Sequence, residues 1–251
     1  MKGYVLITGA TSGIGYEMAK LFALNGEKLI IVGRNEAKLE QIKKALTKAE
    51  VVVSICSDLS HVHSAKEIYE TVREKELEVD IVINNAGAGY VGEFTKAPDE
   101  KIMELLTLNM TSVTLMTKYF ARDMMKKRSG QILNVASTGS YHPGPYTAVY
   151  YATKAYVLSL TEALTEELKP YGIAVSSLCP GATATNFAEA AGRSNAGIAM
   201  DPRFVAAKAY KGLMKKKKLI IPGIQNRLFV KLPRSIAIKF IGGYQRALKE
   251  K

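Results

Sequence analysis

Cysteine, histidine and tryptophan are scarce in this sequence, which has two cysteines, three histidines and no tryptophan among 251 residues. A disulfide framework and a zinc site both need more of these side chains at characteristic spacings. The sequence therefore predicts neither, and we expect no metal. Cys56 and Cys179 each end an apolar, strand-like run, which predicts two buried thiols.

Long apolar runs are missing as well. No run approaches the roughly 20 residues that a membrane-spanning helix needs, and no apolar stretch with a small-residue cleavage site marks a signal peptide. We therefore expect a cytoplasmic protein. A hydrophobic fraction of 47% with ordinary glycine and proline content indicates a globular chain.

Acidic residues are almost absent from one end of the chain. Residues 211–251 hold 12 lysines and arginines and one acidic residue, Glu250, so they carry nearly all of the net charge of +12. The rest of the chain is close to neutral, and no nucleic-acid-binding motif accompanies the basic end. We expect no nucleic-acid partner.

Short β-branched runs alternate with helical stretches along most of the chain. This pattern predicts an α/β fold in a single domain, a doubly wound parallel sheet of the Rossmann type. We assign residues 1–222 to this dinucleotide-binding catalytic domain and residues 223–251 to a basic amphipathic C-terminal tail. Strands are predicted at 4–8, 28–32, 51–56, 81–84, 131–136, 174–178 and 219–221, and helices at 13–25, 35–48, 61–75, 99–127, 148–169 and 202–216.

The first predicted strand runs into a glycine-rich turn, residues 9–15, and then into a helix. Glycines at such a turn let the backbone approach a pyrophosphate, and the helix N-terminus offers free N–H groups to it. At the end of the second strand, an NAD enzyme usually has an acidic residue. Here Arg34 follows Gly33, and a guanidinium suits a 2′-phosphate. Asn35 is the predicted N-cap of the next helix. The expected cofactor is NADP(H).

The motif Tyr-x-x-x-Lys occurs twice, at Tyr16/Lys20 and at Tyr150/Lys154. Its i,i+4 spacing puts both side chains on one helix face, which is necessary for joint chemistry but proves nothing. Only the second pair follows a strand end that carries a serine, Ser137. We therefore interpret the first pair as structural and the second as catalytic.

The chemistry of carbonyl reduction explains this trio. The cofactor supplies a hydride and the protein a proton. Tyrosine has an unperturbed pKa of about 10, and a nearby ammonium such as that of Lys154 lowers this pKa towards neutrality. The hydroxyl of Ser137 can hold the substrate oxygen during transfer.

With these motifs the chain resembles a short-chain dehydrogenase/reductase of about 250 residues, over residues 4–221. Ser137 stands 13 residues before Tyr150, as the family requires. The resemblance implies that the catalytic residues are Asn109, Ser137, Tyr150 and Lys154. With Arg34 and Asn35, the residues expected to bind the cofactor are Gly9, Thr11, Ser12, Gly13, Ile14, Gly15, Asp58, Leu59, Asn85, Ala86, Gly87, Tyr150, Lys154, Pro180, Gly181, Thr183 and Thr185.

The resemblance also implies roles that spacing alone does not show. Lys154 is expected to bind the nicotinamide ribose, and Asn109 to hold a water that connects Lys154 to solvent. A polar Asn109 within an apolar helical run fits this role, although a helix irregularity is the alternative. Relatives pair through the helix that carries Tyr150, so we expect a homodimer or homotetramer.

The expected substrate is a small hydrophobic ketone or secondary alcohol. The loop after Ser137, residues 87–94 and the segment after Thr185 should line its pocket. The aromatic walls are expected to come from Phe94, Tyr141, His142, Tyr146 and Phe187. A non-catalytic NADPH sensor or interaction protein is the alternative, although such a protein would be expected to lose the tyrosine, lysine or serine. A sugar-nucleotide epimerase would need a larger C-terminal substrate domain.

The tail contains apolar residues at four-residue spacing, with basic residues between them. Short helices are predicted at 226–232 and 234–241, separated by Pro233 and ended by Gly242. A basic amphipathic segment of this kind can rest weakly on an anionic membrane. The alternative, which we favour, is that the apolar stripe is a lid over the cleft or a subunit interface. The apolar residues are Leu228, Leu232, Ile236 and Phe240.

Overall fold

The computed structural model describes residues 3–192 and 199–249. Seven strands form one parallel sheet in the order β3-β2-β1-β4-β5-β6-β7. The order reverses between β1 and β4, and ligands of such sheets bind at this point, outside the carboxyl ends of the strands. The strands are β1 (Tyr4–Thr8), β2 (Leu29–Gly33), β3 (Val52–Cys56), β4 (Val79–Asn84), β5 (Gly130–Val135), β6 (Ile173–Leu178) and β7 (Leu219–Ile220).

Helices cover both faces of the sheet because its central strands are apolar on both sides. In β1, Val5 and Ile7 point into one hydrophobic core and Leu6 points into the other, as the alternation along a strand requires. The doubly wound parallel sheet predicted from the sequence is confirmed. The helices are α1 (Gly13–Leu24), α2 (Glu36–Ala45), α3 (Ser64–Glu74), α4 (Asp99–Leu106), α5 (Ser112–Lys127), α6 (Ala148–Glu167), α7 (Asn186–Ala190), α8 (Pro202–Met214), α9 (Ile224–Phe229) and α10 (Arg234–Lys249).

The long helix predicted at 99–127 is not continuous. A π-helical turn, Thr107–Thr111, separates α4 from α5. Apolar periodicity cannot reveal such a turn, because it adds one residue without breaking the helix. The turn carries Asn109, whose side chain is fully buried.

Two further predictions need correction. The tail helix does not end at Gly242 but continues to Lys249, because the packing of Ala237 and Ile241 onto the body outweighs the weak helix propensity of glycine. Of the two thiols, Cys179 is buried as predicted, whereas Cys56 is exposed at the end of the edge strand β3.

Buried polar side chains join the central strands to the helices behind them. The amide of Asn84 donates to Thr117 Oγ1 (3.0 Å) and to Asn134 Oδ1 (2.8 Å). The amide of Asn134 in turn donates to Thr161 Oγ1 on α6 (3.0 Å). A buried amide without a partner is costly, so this network fixes α6 against β4 and β5, the strands that end at the cleft.

Replacing Thr161 by Val tests this network. The fully buried Asn134 amide would lose its acceptor on α6, and we expect the free energy of unfolding to fall by about 1–3 kcal/mol. Thr71→Val is the matched control, because Thr71 makes the same hydroxyl bond to the carbonyl four residues earlier on an exposed helix face. Urea unfolding measures both variants. Equal losses would contradict the role of the network.

Candidate active site

A cleft of about 640 Å³ lies at the carboxyl ends of the strands. The loops after β1, β2, β3, β4, β5 and β6 all contribute to its wall. The structure thus brings together segments that are more than 100 residues apart in the sequence. Of the sequence-predicted site residues, it is lined by Gly9, Thr11, Ser12, Gly13, Ile14, Arg34, Asp58, Leu59, Asn85, Ala86, Gly87, Ser137, Tyr150, Lys154, Pro180, Gly181, Thr183 and Thr185.

The turn after β1 has the form that a phosphate requires. Gly9 and Gly13 have φ values of +64° and +55°, a backbone conformation that other residues adopt only under strain. A Cβ at Gly9 would lie 2.9 Å from the backbone of Ala86. Ser12, at the N-cap of α1, makes no capping hydrogen bond with its side chain, so it leaves the first N–H groups of the helix to another acceptor. These features fit the pyrophosphate of a dinucleotide.

Asn85 connects this turn to the end of β4. Its amide donates to the carbonyl oxygens of Thr8 (3.0 Å) and Gly9 (3.2 Å). The backbone N–H groups of Asn85 and Ala86 both donate to Thr8 Oγ1, at 3.0 Å each. These bonds hold the two loops together at the reversal of strand order.

Arg34 and Asp58 lie at the ends of β2 and β3. The guanidinium of Arg34 is 69% exposed, and its Nη1 lies 3.9 Å from Asp58 Oδ2. Partial burial would raise the pKa of Asp58, but the hydrogen bonds of Ser60 and the charge of Arg34 outweigh it and lower this pKa. A pair this long and exposed contributes little to stability, so Arg34 is available to an anion in the cleft.

Lys154 is the buried cation of the site. Its ammonium donates to the carbonyl oxygen of Val135 at 2.8 Å, and the residue is only 3% exposed. Burial lowers the pKa of Lys154 to about 8, because desolvation disfavours the charged form. An ammonium has three donors, so donors remain for a ligand in the cleft.

Ser137 is tied to the same helix. Ser140 Oγ accepts from the Ser137 N–H (3.2 Å) and donates to the carbonyl oxygen of Lys154 (2.7 Å). Ser137 Oγ itself accepts from the N–H of Gly139 (3.0 Å), which leaves its O–H for donation. Tyr150 lines the cleft one helical turn before Lys154. The arrangement presents two hydroxyls and a buried cation to one cavity.

Three sequence-predicted site residues do not line the cleft. Gly15 packs against the Asn85 amide and the Gly9 carbonyl. Asn35 accepts from the Lys38 N–H (2.9 Å) and caps α2 as predicted. Asn109 bonds Ala88 through both its amide N–H (2.9 Å) and its carbonyl (3.0 Å), and donates to Thr153 at 3.1 Å.

The substrate end of the cleft differs from the prediction. Phe187 lines it, and its ring centroid lies 5.4 Å from that of Tyr150. The other four predicted aromatic residues do not. Tyr141 packs in the core beside Cys179, and Phe94 and Tyr146 line a second hollow.

The tail supplies the missing aromatic walls. His142 is buried, and its Nε2 lies 3.0 Å from the Phe229 carbonyl oxygen, so it anchors the tail instead of facing the cleft. Sequence reasoning missed these wall residues, because no local signal shows where a tail helix docks. The wall residues that were missed are Phe229, Phe240, Ile241 and Tyr244 of the tail and Tyr151 of α6.

Comparison with known proteins agrees with this geometry. Residues 3–196 match the model of the short chain dehydrogenase family. The chain belongs to the short-chain dehydrogenase family. As a member it is an oxidoreductase that acts on CH–OH or C=O groups and binds a nicotinamide cofactor, NAD(P)(H).

Three relatives illustrate the range of this family. A Streptomyces violaceoruber protein, provisionally named ketoacyl reductase 1 of the granaticin polyketide synthase, is 36% identical over 201 residues, 78% of this chain and 74% of its own length. A short-chain dehydrogenase from Sphingobium yanoikuyae in complex with NADPH is 30% identical, with a TM-score of 0.84 over 99% of this chain and 96% of that one. A Burkholderia phymatum member in complex with NAD is 25% identical, with a TM-score of 0.83 over 92% of each chain.

The buried amine of Lys154 predicts a pH dependence of stability. Its pKa in the folded protein, about 8, lies below the unfolded value of about 10.4. Between these values the unfolded chain binds the additional proton, so stability rises with pH, by up to about 1.4 kcal/mol per pH unit. We compare the free energy of unfolding of the unmodified protein with that of Lys154→Met. The difference, unmodified minus variant, should increase by roughly 2–3 kcal/mol between about pH 8 and pH 10.

Urea unfolding of both proteins without cofactor measures this difference, and groups elsewhere in the chain cancel from it. The lost bond to Val135 shifts the variant by the same amount at every pH. A difference that stays constant across this range would show that the amine does not titrate there.

Proposed function

We propose that this chain is an NADP-dependent oxidoreductase that transfers a hydride between nicotinamide and a hydrophobic ketone or secondary alcohol, with Tyr150 as the acid/base. The observation that carries the proposal is the buried ammonium of Lys154, one helical turn from Tyr150 and tied through Ser140 to Ser137. Burying a cation costs free energy, and a buried cation in a cleft therefore favours a functional role for its charge.

Each residue of the trio has a definite part in the proton transfer. The charge of Lys154 favours the tyrosinate and so brings the pKa of Tyr150 towards working pH. The Ser137 O–H donates to the substrate oxygen and positions it. Tyr150 then gives its hydroxyl proton to that oxygen in reduction, or accepts it in oxidation. Bound NADPH would supply the hydride to the substrate carbon.

The preference for NADP rests on Arg34. It lines the cleft at the end of β2, where its exposed guanidinium is available to a 2′-phosphate. Structures of similar proteins contain NADPH in one case and NAD in another, so the family alone does not fix the preference.

The hydrophobic substrate rests on the cleft wall. The rings of Phe187 and Tyr151 lie 5.4 and 6.0 Å from that of Tyr150, and the tail residues Phe229 and Phe240 line the same cleft. Aromatic walls with a few convergent polar groups suit an apolar ligand with one oxygen function. The tail, residues 223–251, would then act as a lid over this end of the site.

We further propose a homodimer or homotetramer, since enzymes of this family are commonly oligomeric. The outer side of α6 leaves Tyr156 exposed beside Thr114 of α5, with their hydroxyls 2.9 Å apart. The cytoplasmic location expected from the sequence stays a prediction.

Tyr150→Phe tests the mechanism. The variant keeps the ring and loses only the hydroxyl, so turnover of a hydrophobic ketone with NADPH should fall by a factor of about 100 or more, while NADPH still binds. Tyr16→Phe, in the other Tyr-x-x-x-Lys motif, is the matched control and should keep its activity. Near-normal turnover in Tyr150→Phe would overturn the assigned mechanism.

Arg34→Ala tests the cofactor preference. Losing charge-assisted hydrogen bonds worth about 1.5–3 kcal/mol should weaken NADPH binding by about 10- to 150-fold and leave NADH binding nearly unchanged. Lys44→Ala, an exposed lysine on α2 outside the cleft, is the control for net charge. Titration calorimetry measures the affinities of the three proteins for both cofactors. Equal affinity of the unmodified protein for NADPH and NADH would refute the preference.

A further inference from the structure

The tail helices α9 and α10 have two sides, and only one of them packs against the rest of the protein. Ala237 and Ile241 of α10 are buried against the body, and Phe229 lines the cleft. The neighbouring apolar side chains point outwards: Ile224 is 75% exposed, and Leu228 is 63% exposed. The lid over the cleft therefore accounts for only part of the apolar stripe.

The outward residues recur at regular spacing along both tail helices. Ile236, Phe240 and Tyr244 follow one another at four-residue spacing along α10, and all are exposed, so they lie on one side of that helix. Ile224 and Leu228 have the same spacing on α9. We call these five residues the outer face. Large exposed side chains at such a density commonly mark an interaction site.

The charge of the tail helices themselves has a single sign, although Glu93 of the body shares a hollow with Lys239. Residues 202–249 contain 13 lysines and arginines and no aspartate or glutamate. Lys231 lies between the two helices, Lys239 lies on α10, and both are exposed. An occupant of this face must therefore accept apolar side chains and neutralise cations.

We propose that the outer face docks on the surface of an anionic lipid bilayer. Helices that lie in a membrane interface typically expose isoleucine, leucine and phenylalanine beside lysine and arginine. A second copy of the chain fits poorly, because pairing through this face would set lysines and arginines against each other. Within the described residues, no helix has the length and apolar content needed to cross a bilayer, so the contact is peripheral.

This docking orients the cleft. Phe240 and Tyr244 belong to the outer face and also line the cleft. A protein resting on this face would have the mouth of its cleft next to the lipid. A substrate dissolved in the membrane would then reach the cleft directly, a consequence that rests on the proposed function, whereas the docking itself does not.

Sedimentation with vesicles tests the electrostatic part. The full-length protein should sediment with phosphatidylcholine vesicles that contain about 30% phosphatidylserine, not with phosphatidylcholine alone, and should dissociate as salt rises from about 50 to about 500 mM. Lys231→Gln with Lys239→Gln should reduce the partition coefficient by about 25-fold. Lys44→Gln with Lys48→Gln, which removes the same charge from exposed positions in and just after α2, should leave it nearly unchanged.

A single tryptophan tests insertion of the apolar side chains. The chain has no tryptophan, so Leu228→Trp gives a fluorescence signal from the outer face alone. Anionic vesicles should shift its emission to the blue. Leu24→Trp, at a site with similar exposure at the end of α1, should not respond.

Two results would overturn the proposal. One is no sedimentation of the unmodified protein with anionic vesicles at low salt. The other is sedimentation without a blue shift at position 228, which would reduce the contact to adsorption of a basic protein. Turnover of a soluble ketone by the same preparations is a separate readout. A protein that docks on vesicles but is inactive would contradict the proposed function alone, and an active protein that does not dock would contradict this proposal alone.

Discussion

The burial of the Lys154 ammonium is the constraint on which the rest of the site depends. Removing a cation from water is expensive unless hydrogen bonds replace the water. The carbonyl of Val135 supplies one such bond, and its position depends on the register of β5 within the sheet. Because this solvation is incomplete, the pKa of Lys154 falls to about 8, and the charge is available to act on a hydroxyl one helical turn away.

The topology of the sheet gathers the other residues around this charge. Parallel strands all end at one edge, and the reversal of their order between β1 and β4 opens a crevice there. The Asn85 amide closes the back of the crevice by bonding the turn after β1. Asn109 fixes the loop after β4 from behind, through Ala88. The shape of the cleft thus depends on hydrogen bonds from two asparagine side chains to the backbone of the surrounding loops.

The strands and most of the helices could be predicted from the sequence, because β-branched runs and apolar periodicity are local signals. That Ser137, Tyr150 and Lys154 line one cleft could also be predicted, since their spacing is fixed within one strand end and one helix. A polar Asn109 within an apolar run allowed a helix irregularity as one alternative, but its form, a π-helical turn, could not be predicted, because an inserted residue leaves the apolar pattern almost unchanged. Nor could the position of His142, which faces the tail and not the cleft; only the docking of α9 decides its direction.

The tail shows how packing overrides a local stop signal. Two glycines at 242 and 243 predict the end of a helix, yet α10 continues, because Ala237 and Ile241 are buried against the body. The longer helix extends past Tyr244, which both lines the cleft and reaches the surface. Part of the aromatic lining of the cleft therefore comes from a segment far along the chain from the Tyr-x-x-x-Lys motif.

The measurement that tests the central claim most directly is the transfer of label from the cofactor to the substrate. NADPH that carries deuterium on the transferable position of its nicotinamide ring would be incubated with the protein and a panel of hydrophobic ketones. The account predicts alcohol with deuterium on the carbinol carbon. Tight binding of NADPH with no labelled alcohol from any ketone, and no oxidation of the corresponding alcohols with NADP, would contradict it and favour a non-catalytic sensor.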